Sequence, residues 1–208
     1  MNKQILMITA AGLLAWDYQA HAAGDVRAAF GTGTYEVDTS EGKAESDLIG
    51  FDLRGSFKPT EKLFLRGEYL STSGDKIEAG GEKFDIDTEI DVLRLGAGYG
   101  VNAGPMRVYG VLEYANVNVE IDGEGDDTNG WGVSGGIGDQ GSGPWLWNVE
   151  LSWLSLDEVD GASLDATLGY RFTPALSGLI GVQSYALEAE GGDELTLSQF
   201  YLGGQFSF

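Results

Sequence analysis

The chain has 208 residues, which is enough for one domain but scarcely for two. Its 33 acidic residues outnumber 12 lysines and arginines, and the net charge of −21 argues against binding to nucleic acid or to an anionic lipid surface. The absence of cysteine and the single histidine exclude disulfide bonds and zinc sites built from thiolates and imidazoles.

The first predicted element is a secretory signal peptide over residues 1–22. Lys3 precedes an apolar run over residues 5–16, and the segment ends in Ala20-His21-Ala22, an A-x-A cleavage pattern. The alternative is a membrane anchor, which would need ~20 apolar residues to span the bilayer as a helix. Cleavage would leave residues 23–208 as one domain that keeps the charge of −21 and has no histidine.

The rest of the chain consists of segments with strand periodicity. Apolar and polar residues alternate over about ten residues at a time, between turn residues, which is the sequence signature of a transmembrane barrel. We expect ten strands, with eight as the alternative; the first strand is the weakest because Arg27 and Tyr35 share a face. The predicted strands cover residues 26–37, 47–58, 62–73, 89–101, 106–119, 130–138, 144–156, 162–173, 175–187 and 195–208.

The polarity of the two strand faces indicates which side meets lipid. In the second strand Ile49, Phe51 and Leu53 share one face, whereas Asp52 and Arg54 lie on the other. Nearly every strand has an apolar face opposite a face with charges at mid-strand, which inverts the pattern of a soluble sandwich. We therefore predict an all-β fold, an antiparallel up-and-down transmembrane β-barrel with apolar side chains toward lipid and polar side chains in the lumen.

Connections and aromatic residues support the same topology. Short turns alternate with longer acidic connections near residues 38–46, 73–88, 120–129, 157–161 and 188–194, as expected for inner turns and outer loops. Aromatic residues cluster at strand ends, in two groups that match the girdles at the two membrane interfaces. The inner group is Phe57, Tyr99, Trp145, Trp147, Tyr170, Phe172, Phe206 and Phe208, and the outer group is Tyr69, Tyr114, Trp131 and Trp153.

The final strand carries a terminal pattern of its own. Phe208 follows Phe206 by two positions, and Gly203 lies three residues before Phe206. This pattern resembles the assembly signal of bacterial outer-membrane barrels. The chain as a whole resembles the small outer-membrane β-barrel family, which includes the OmpA transmembrane domain and OmpX/Ail-type proteins, although these relatives resemble eight-stranded barrels.

The resemblance implies a location and a set of partners. We expect export through the periplasm to the bacterial outer membrane of a Gram-negative cell. The implied partners are outer-membrane lipid, lipopolysaccharide and the barrel assembly machinery, and we expect a monomer.

Two motifs with catalytic associations lie in one glycine-rich segment. Residues 130–135 match G-x-G-x-x-G, but no helix follows, as a phosphate-binding loop would require. Residues 132–136 match G-x-S-x-G around Ser134, but the mature chain offers no histidine as a base. We therefore predict that the protein is not an enzyme, that it has no cofactor, and that the glycines allow close approach of neighbouring strands or lumen residues.

The predicted lumen carries nearly balanced charges. Five acids and four bases point inward at mid-strand: Asp52, Arg54, Arg66, Glu68, Arg94, Glu113, Glu150, Asp165 and Arg171. A selective pore more often shows a ring of one sign, and a buried charge is costly unless it is paired. The balance favours a salt-bridged plug over an open pore.

The acidic outer connections are the strongest functional hint in the sequence. They hold 20 of the 33 acids and three lysines, so about −17 of the −21 charge lies there. A calcium site is one hypothesis, with Asp122, Glu124, Asp126 and Asp127 as ligands, but Asp127 stands where an EF-hand needs glycine. Loosely bound divalent cations that bridge to lipopolysaccharide phosphates are a second hypothesis, and a solvated loop tip is the third.

Two classes of function stay open from the sequence. The first is a structural or surface-exposed barrel that interacts with lipopolysaccharide or cations. The second is a narrow pore for small solutes, with a preference for cations because its outer mouth is acidic. An adhesin is a minor alternative, since the connections have few apolar tips besides Ile77 and Phe84.

Overall fold

The computed structural model describes residues 23–39, 42–140, 143–157, 159–189 and 191–208. The predicted signal peptide lies outside these residues and stays a prediction. Within the described ranges, no helix has the length and hydropathy needed to cross a membrane. The described strands are β1 (Ala23–Thr39), β2 (Gly42–Lys58), β3 (Leu63–Gly74), β4 (Ile77–Ala79), β5 (Glu82–Phe84), β6 (Thr88–Ala103), β7 (Met106–Ile121), β8 (Glu124–Asp139), β9 (Trp145–Leu156), β10 (Val159–Arg171), β11 (Leu176–Ala189) and β12 (Glu194–Ser207).

Ten of these strands close into an antiparallel up-and-down barrel. Sequential neighbours pair, β3 pairs with β6, and β1 pairs with both β2 and β12, which closes the ring. The short strands β4 and β5 form a hairpin in the connection between β3 and β6, and β4 pairs with β2. The prediction of ten strands is confirmed and the alternative of eight is wrong, because the first segment is a full strand with Arg27 and Tyr35 both buried inside.

The barrel is longer than predicted at one end. We call the end with the short turns the inner end and the opposite end the outer end. The segments predicted as loops at 38–46 and 120–129 are mostly strand, since β7 and β8 are joined only by Asp122-Gly123. These two residues have positive φ angles of 52° and 80°, as a type I′ hairpin turn requires. The loop prediction is wrong there because strand alternation continues, with its polarity reversed.

The two faces of the barrel wall exchange polarity along the strands. On β7, Leu112 faces outward and Glu113 inward, but beyond Tyr114 the outward residue is Asn118 and the inward residue is Val117. The same exchange occurs on β2, β6, β11 and β12. Beyond it the outward residues include Asp47, Glu89, Asp91, Glu188, Thr196 and Ser198, and the inward residues include Leu48, Ile90, Val92, Leu187, Leu195 and Leu197.

These patterns divide the barrel into two sections. The membrane section has the lipid-type pattern, with outward residues such as Phe30, Leu151 and Leu202 that are 75%, 63% and 62% exposed. The outer section begins at the level of Tyr114 and has the pattern of a soluble barrel, polar outside and apolar inside. On β7 it extends about seven residues, ~23 Å of strand at ~3.3 Å per residue. The prediction that polar side chains fill the lumen is confirmed in the membrane section and is wrong in the outer section.

Candidate functional site

The lumen of the membrane section contains a network of charged side chains, which we call the plug. Its members come from seven strands around the barrel, and strand alternation turns each of them inward. The plug consists of Arg27, Asp52, Arg54, Arg66, Glu68, Arg94, Glu113, Glu150 and Asp165. Eight of the nine predicted lumen charges are therefore brought together.

One half of the plug is built around two arginines from β1 and β2. Arg27 donates to Asp52 at 2.6 Å, and its guanidinium lies 4.7 Å from the centre of the Tyr201 ring. Arg54 contacts Asp52 at 3.0 Å and Asp165, on β10, at 2.9 Å. Asp52 is 1% exposed, so its charge is compensated by these guanidiniums rather than by water.

The other half of the plug is built around Arg66 and Arg94. Arg66 lies 2.6 Å from Glu113 and also donates to Glu150 on β9. Arg94 donates to the other oxygen of Glu113, and the two residues are 2% and 1% exposed. The hydroxyl of Ser134 donates to Glu113 at 2.6 Å. The serine of the G-x-S-x-G match is thus a hydrogen-bonding member of this cluster.

Glu68 joins the two halves and the plug crosses the lumen. Its carboxylate lies 3.3 Å from Arg54 and 3.7 Å from Arg94, and Gln183 donates to it at 2.8 Å. The pairs Arg54–Asp165 and Arg66–Glu150 each connect strands that are four positions apart around a ring of ten. Four guanidiniums therefore face five carboxylates across the whole width of the barrel.

A layer of aromatic side chains lies toward the inner end. The rings of Phe64 and Tyr109 meet edge to face at 5.8 Å, and the Arg107 guanidinium lies 5.5 Å from the Phe64 ring. A Cβ atom at Gly98 would lie 2.2 Å from Phe64, and one at Gly136 would lie 2.2 Å from Tyr109. The predicted role of glycine in allowing close approach holds at these positions, because the rings lie flat against bare backbone.

Two arginines depart from the sequence prediction. Arg171 faces inward but pairs with Asp139 at 2.6 Å near the inner end, apart from the plug. Arg27, which the prediction omitted, is 6% exposed and belongs to the plug. The sequence does contain a signal for Arg27, because it shares a strand face with Tyr35 and both side chains point into the lumen.

An apolar cavity lies beyond the plug in the outer section, and we call it the chamber. Its volume is about 190 Å³. Its wall includes Val92, Val117, Val119, Tyr185, Leu187 and Leu197. Tyr185 joins the chamber to the plug, because its ring lines the cavity while Gln183 donates to its hydroxyl at 2.8 Å. The sequence prediction missed the chamber entirely.

The predicted calcium ligands lie around the β7–β8 hairpin. Asp122 forms the turn, Asp126 lines the chamber, and Asp127 accepts a hydrogen bond from Asn116 on the opposite face of the wall. Among the described residues there is no group of three or more carboxylate or imidazole side chains placed to hold a metal ion. The structure therefore does not bring Glu124 and these three aspartates into one site.

The outer surface has an acidic cleft near the same hairpin. Its acidic members are Asp47, Asp75, Asp87, Glu89, Glu120 and Asp122. On the outer parts of β1 and β2, the ammonium of Lys43 lies 2.6 Å from Glu36, and this hydrogen bond raises the pKa of Lys43.

A closed barrel with a lipid-type outer face defines a transmembrane β-barrel protein. The model of the outer membrane protein beta-barrel domain matches residues 5–208, and the chain belongs to this family. Its place is the bacterial outer membrane, among lipid and lipopolysaccharide. A search of the curated proteins returned no match.

Solved structures of outer-membrane barrels are similar in fold. The protease OmpT from Escherichia coli matches with a TM-score of 0.56 at 9% identity, over 93% of this chain and 99% of that one. Ail from Yersinia pestis matches with a TM-score of 0.47 at 13% identity, over 89% and 99%. OprG from Pseudomonas aeruginosa matches with a TM-score of 0.47 at 13% identity, over 92% and 99%. At these identities the likeness to OmpT extends to the fold alone.

Proposed function

We propose that the protein is a closed outer-membrane barrel whose role is structural and surface-exposed, and that it does not conduct solutes. The observation that carries this proposal is the plug, whose ion pairs run from wall to wall. An ion that crossed this level would have to separate buried guanidiniums from their carboxylates, and an unpaired buried charge is costly. The aromatic layer formed by Phe64 and Tyr109 adds a second barrier on the same path.

We also propose that the protein is not an enzyme. Residues 23–208 contain no histidine and no cysteine, so a nucleophile would lack its usual base. The hydroxyl of Ser134 donates to Glu113, which is itself held by Arg94 and Arg66. A carboxylate fixed in this way is a poor general base because two arginines stabilise its charged form.

The acidic outer end supports an interaction with divalent cations and lipopolysaccharide. Hard cations prefer carboxylate oxygens, and the same ions bind phosphate. The cleft that contains Asp87, Glu89 and Glu120 would take cations that bridge to neighbouring lipopolysaccharide phosphates. The binding would be loose and shared, in keeping with the absence of a three-ligand group among the described residues.

The conductance of single molecules in a planar bilayer tests the closed barrel. We expect silence from the refolded wild type and discrete steps from the double variant Arg66→Ala/Glu150→Ala, which removes one ion pair that spans the lumen. The double variant Glu78→Ala/Lys83→Ala is the matched control, since it removes a surface pair in the β4–β5 hairpin. Reproducible wild-type steps with cation selectivity would overturn the proposal.

A narrow pore that prefers cations is the second candidate. It is favoured by the excess of one carboxylate in the plug and by the acidic cleft at the outer end. An adhesin has less support, because the exposed apolar residues of the outer connections are few. The conductance measurement separates pore from closed barrel.

Thermal unfolding with and without a chelator tests the cation proposal. In bilayers that contain lipopolysaccharide and Mg²⁺, we expect EDTA to lower the unfolding temperature of the wild type. The triple variant Asp87→Asn/Glu89→Gln/Glu120→Gln should respond less to EDTA. An equal response of the two proteins would contradict the role of the cleft.

Assembly is the remaining proposal from the sequence. Phe206 and Phe208 are 52% and 50% exposed on the lipid side, where assembly machinery could read them, and Gly203 lies against Ala28 and Ala29 of β1. We propose that these residues act as an assembly signal and that the barrel is a monomer. Phe208→Ala should reduce the yield of folded barrel in cells while leaving refolding in vitro unchanged.

A further inference from the structure

We infer that the chamber in the outer section is a binding site for a small, neutral, apolar molecule about the size of one aromatic ring. This inference is independent of the proposal that the plug is closed, because the chamber lies on the outer side of the plug. Three features of the chamber carry it: volume, lining and charge.

The volume of the chamber sets the size of the ligand. Apolar cavities of ~150 Å³ stay dry and bind molecules the size of benzene. The chamber, at about 190 Å³, holds such a ring with room for a substituent. Water is a poor occupant of the space between Val117, Leu187 and Leu197, because these side chains offer it no hydrogen bonds.

The lining sets the chemistry of the ligand. Most of the wall is aliphatic, and the two tyrosines, Tyr35 and Tyr185, add aromatic faces. The polar members are Asp126 and Thr128, both from β8, and the hydroxyl of Thr128 is buried without a hydrogen-bond partner among the described residues. A ligand with one small polar substituent could form a hydrogen bond with the hydroxyl of Thr128.

The charge around the chamber excludes anions. Among the described residues, no lysine or arginine lines the chamber, and Asp126 is the one charged side chain in its wall. The acidic outer segments hold 20 acids and three lysines, a net charge of about −17. The negative charge of these segments would repel the carboxylate of a fatty acid, and the described wall offers no cation to pair with it. A neutral molecule is therefore favoured over its anionic counterpart.

The strand register provides an entrance in the wall. The ladder between β8 and β9 begins at Gly130, and Asn129 still accepts a backbone hydrogen bond from Asp157, so among the described residues 124–128 have no strand partner on that side. The resulting notch lies between Asp126 and Thr128 on β8 and Val159 at the start of β10, and all three line the chamber. Trp131 lies just beneath the notch on the lipid face and is 63% exposed. An apolar molecule held at the membrane surface would therefore reach the chamber from the side.

Methyl NMR of the refolded protein in lipid nanodiscs tests this inference with toluene as the probe. We expect saturable shifts at Val92, Val117 and Leu197 methyls, whereas the lipid-facing methyls of Leu112 and Val133 should respond only through partitioning into lipid. Benzoate, which replaces the toluene methyl with a carboxylate, should bind at least roughly tenfold more weakly, a difference that this readout resolves.

A pair of variants on one strand provides the control. Val117→Trp fills the chamber and should weaken toluene binding by at least roughly tenfold, whereas Leu112→Trp points to lipid and should leave it unchanged. Equal, non-saturable shifts at chamber and lipid-facing methyls of the wild type would overturn the inference. Equal binding of toluene and benzoate would overturn the assignment of a neutral ligand, and this result needs no variant to fold.

Discussion

The membrane section and the outer section are the same ten strands with opposite polarity. Below Tyr114 the wall is apolar outside and charged inside, and the interior is held by ion pairs such as Arg94–Glu113. Above it the wall is polar outside, and the interior is held by packing of residues such as Leu154 and Ile90. The medium outside the wall therefore determines what the lumen contains. Where the wall faces lipid, only the lumen can hold charge, and where it faces water, only the lumen can hold a hydrophobic core.

The largest expected effect comes from breaking the plug. Arg94→Met should lower the free energy of unfolding by about 3–5 kcal/mol, because Glu113 and Glu68 would lose a buried cation. Arg171→Met removes an arginine that pairs near the inner end, where it is 18% exposed, and should cost clearly less. Urea unfolding of both variants in lipid vesicles measures the difference. If Arg94→Met and Arg171→Met lowered the free energy of unfolding equally, the plug would stabilise the barrel no more than an ion pair near its inner end.

The second prediction tests how much the apolar core of the outer section contributes to the free energy of unfolding. Leu154→Ala should lower the free energy of unfolding by about 2–5 kcal/mol, since Leu154 is fully buried among apolar side chains. Leu151→Ala, on the same strand but 63% exposed to lipid, should cost much less because lipid fills the space. The same urea titration checks this pair. A larger loss at Leu151 would contradict a hydrophobic core in the outer section.

The third prediction locates the boundary between the sections. Val149→Arg should cost about 2–4 kcal/mol, because Val149 faces lipid midway between Trp145 and Trp153. Ser155→Arg lies on the same face of β9, beyond Trp153, and should cost about 0–1 kcal/mol. Refolding yields and unfolding midpoints report both. If the two variants were equally destabilised, lipid would extend above Trp153.

The smallest expected effect concerns the β7–β8 turn. Asp122 has a φ of 52°, so Asp122→Ala should cost up to about 1 kcal/mol, whereas Asp122→Gly should be neutral or slightly stabilising. Either variant should leave the membrane section unaltered. Hydrogen exchange at Val117 and Val119 amides, resolved by NMR, detects fraying confined to the hairpin. Protection unchanged in Asp122→Ala would contradict the type I′ geometry.

Much of the barrel could be predicted because alternation is a local property. The alternation alone places Ile49, Phe51 and Leu53 on the lipid side, where the structure has them, and it places every plug residue except Arg27 on the lumen side. Their pairing could not be predicted, because Arg66 meets Glu150 only after the ring has closed across 84 residues of sequence.

The outer section was missed for a different reason. Val117, Val119 and Ile121 alternate with polar residues as in any strand, but the dense acids nearby are typical of loops. An outward acid and an inward valine are what a strand in water requires. The prediction omitted Arg27 for the opposite reason. A charged residue and a tyrosine on one face favour a weak strand, whereas in the structure they belong to two layers of the lumen.

The register that opens the notch also leaves the outer end of β8 as an exposed sheet edge. The edge of β2 in the same position is covered, since Ala44 and Glu45 pair with β4. The edge of β8 carries Glu124, Asp126 and Asp127 instead. Exposed strand edges are templates for pairing with another chain, and charges on them prevent it. We therefore expect these acids to hinder edge-to-edge pairing of β8 with a neighbouring barrel in a crowded membrane.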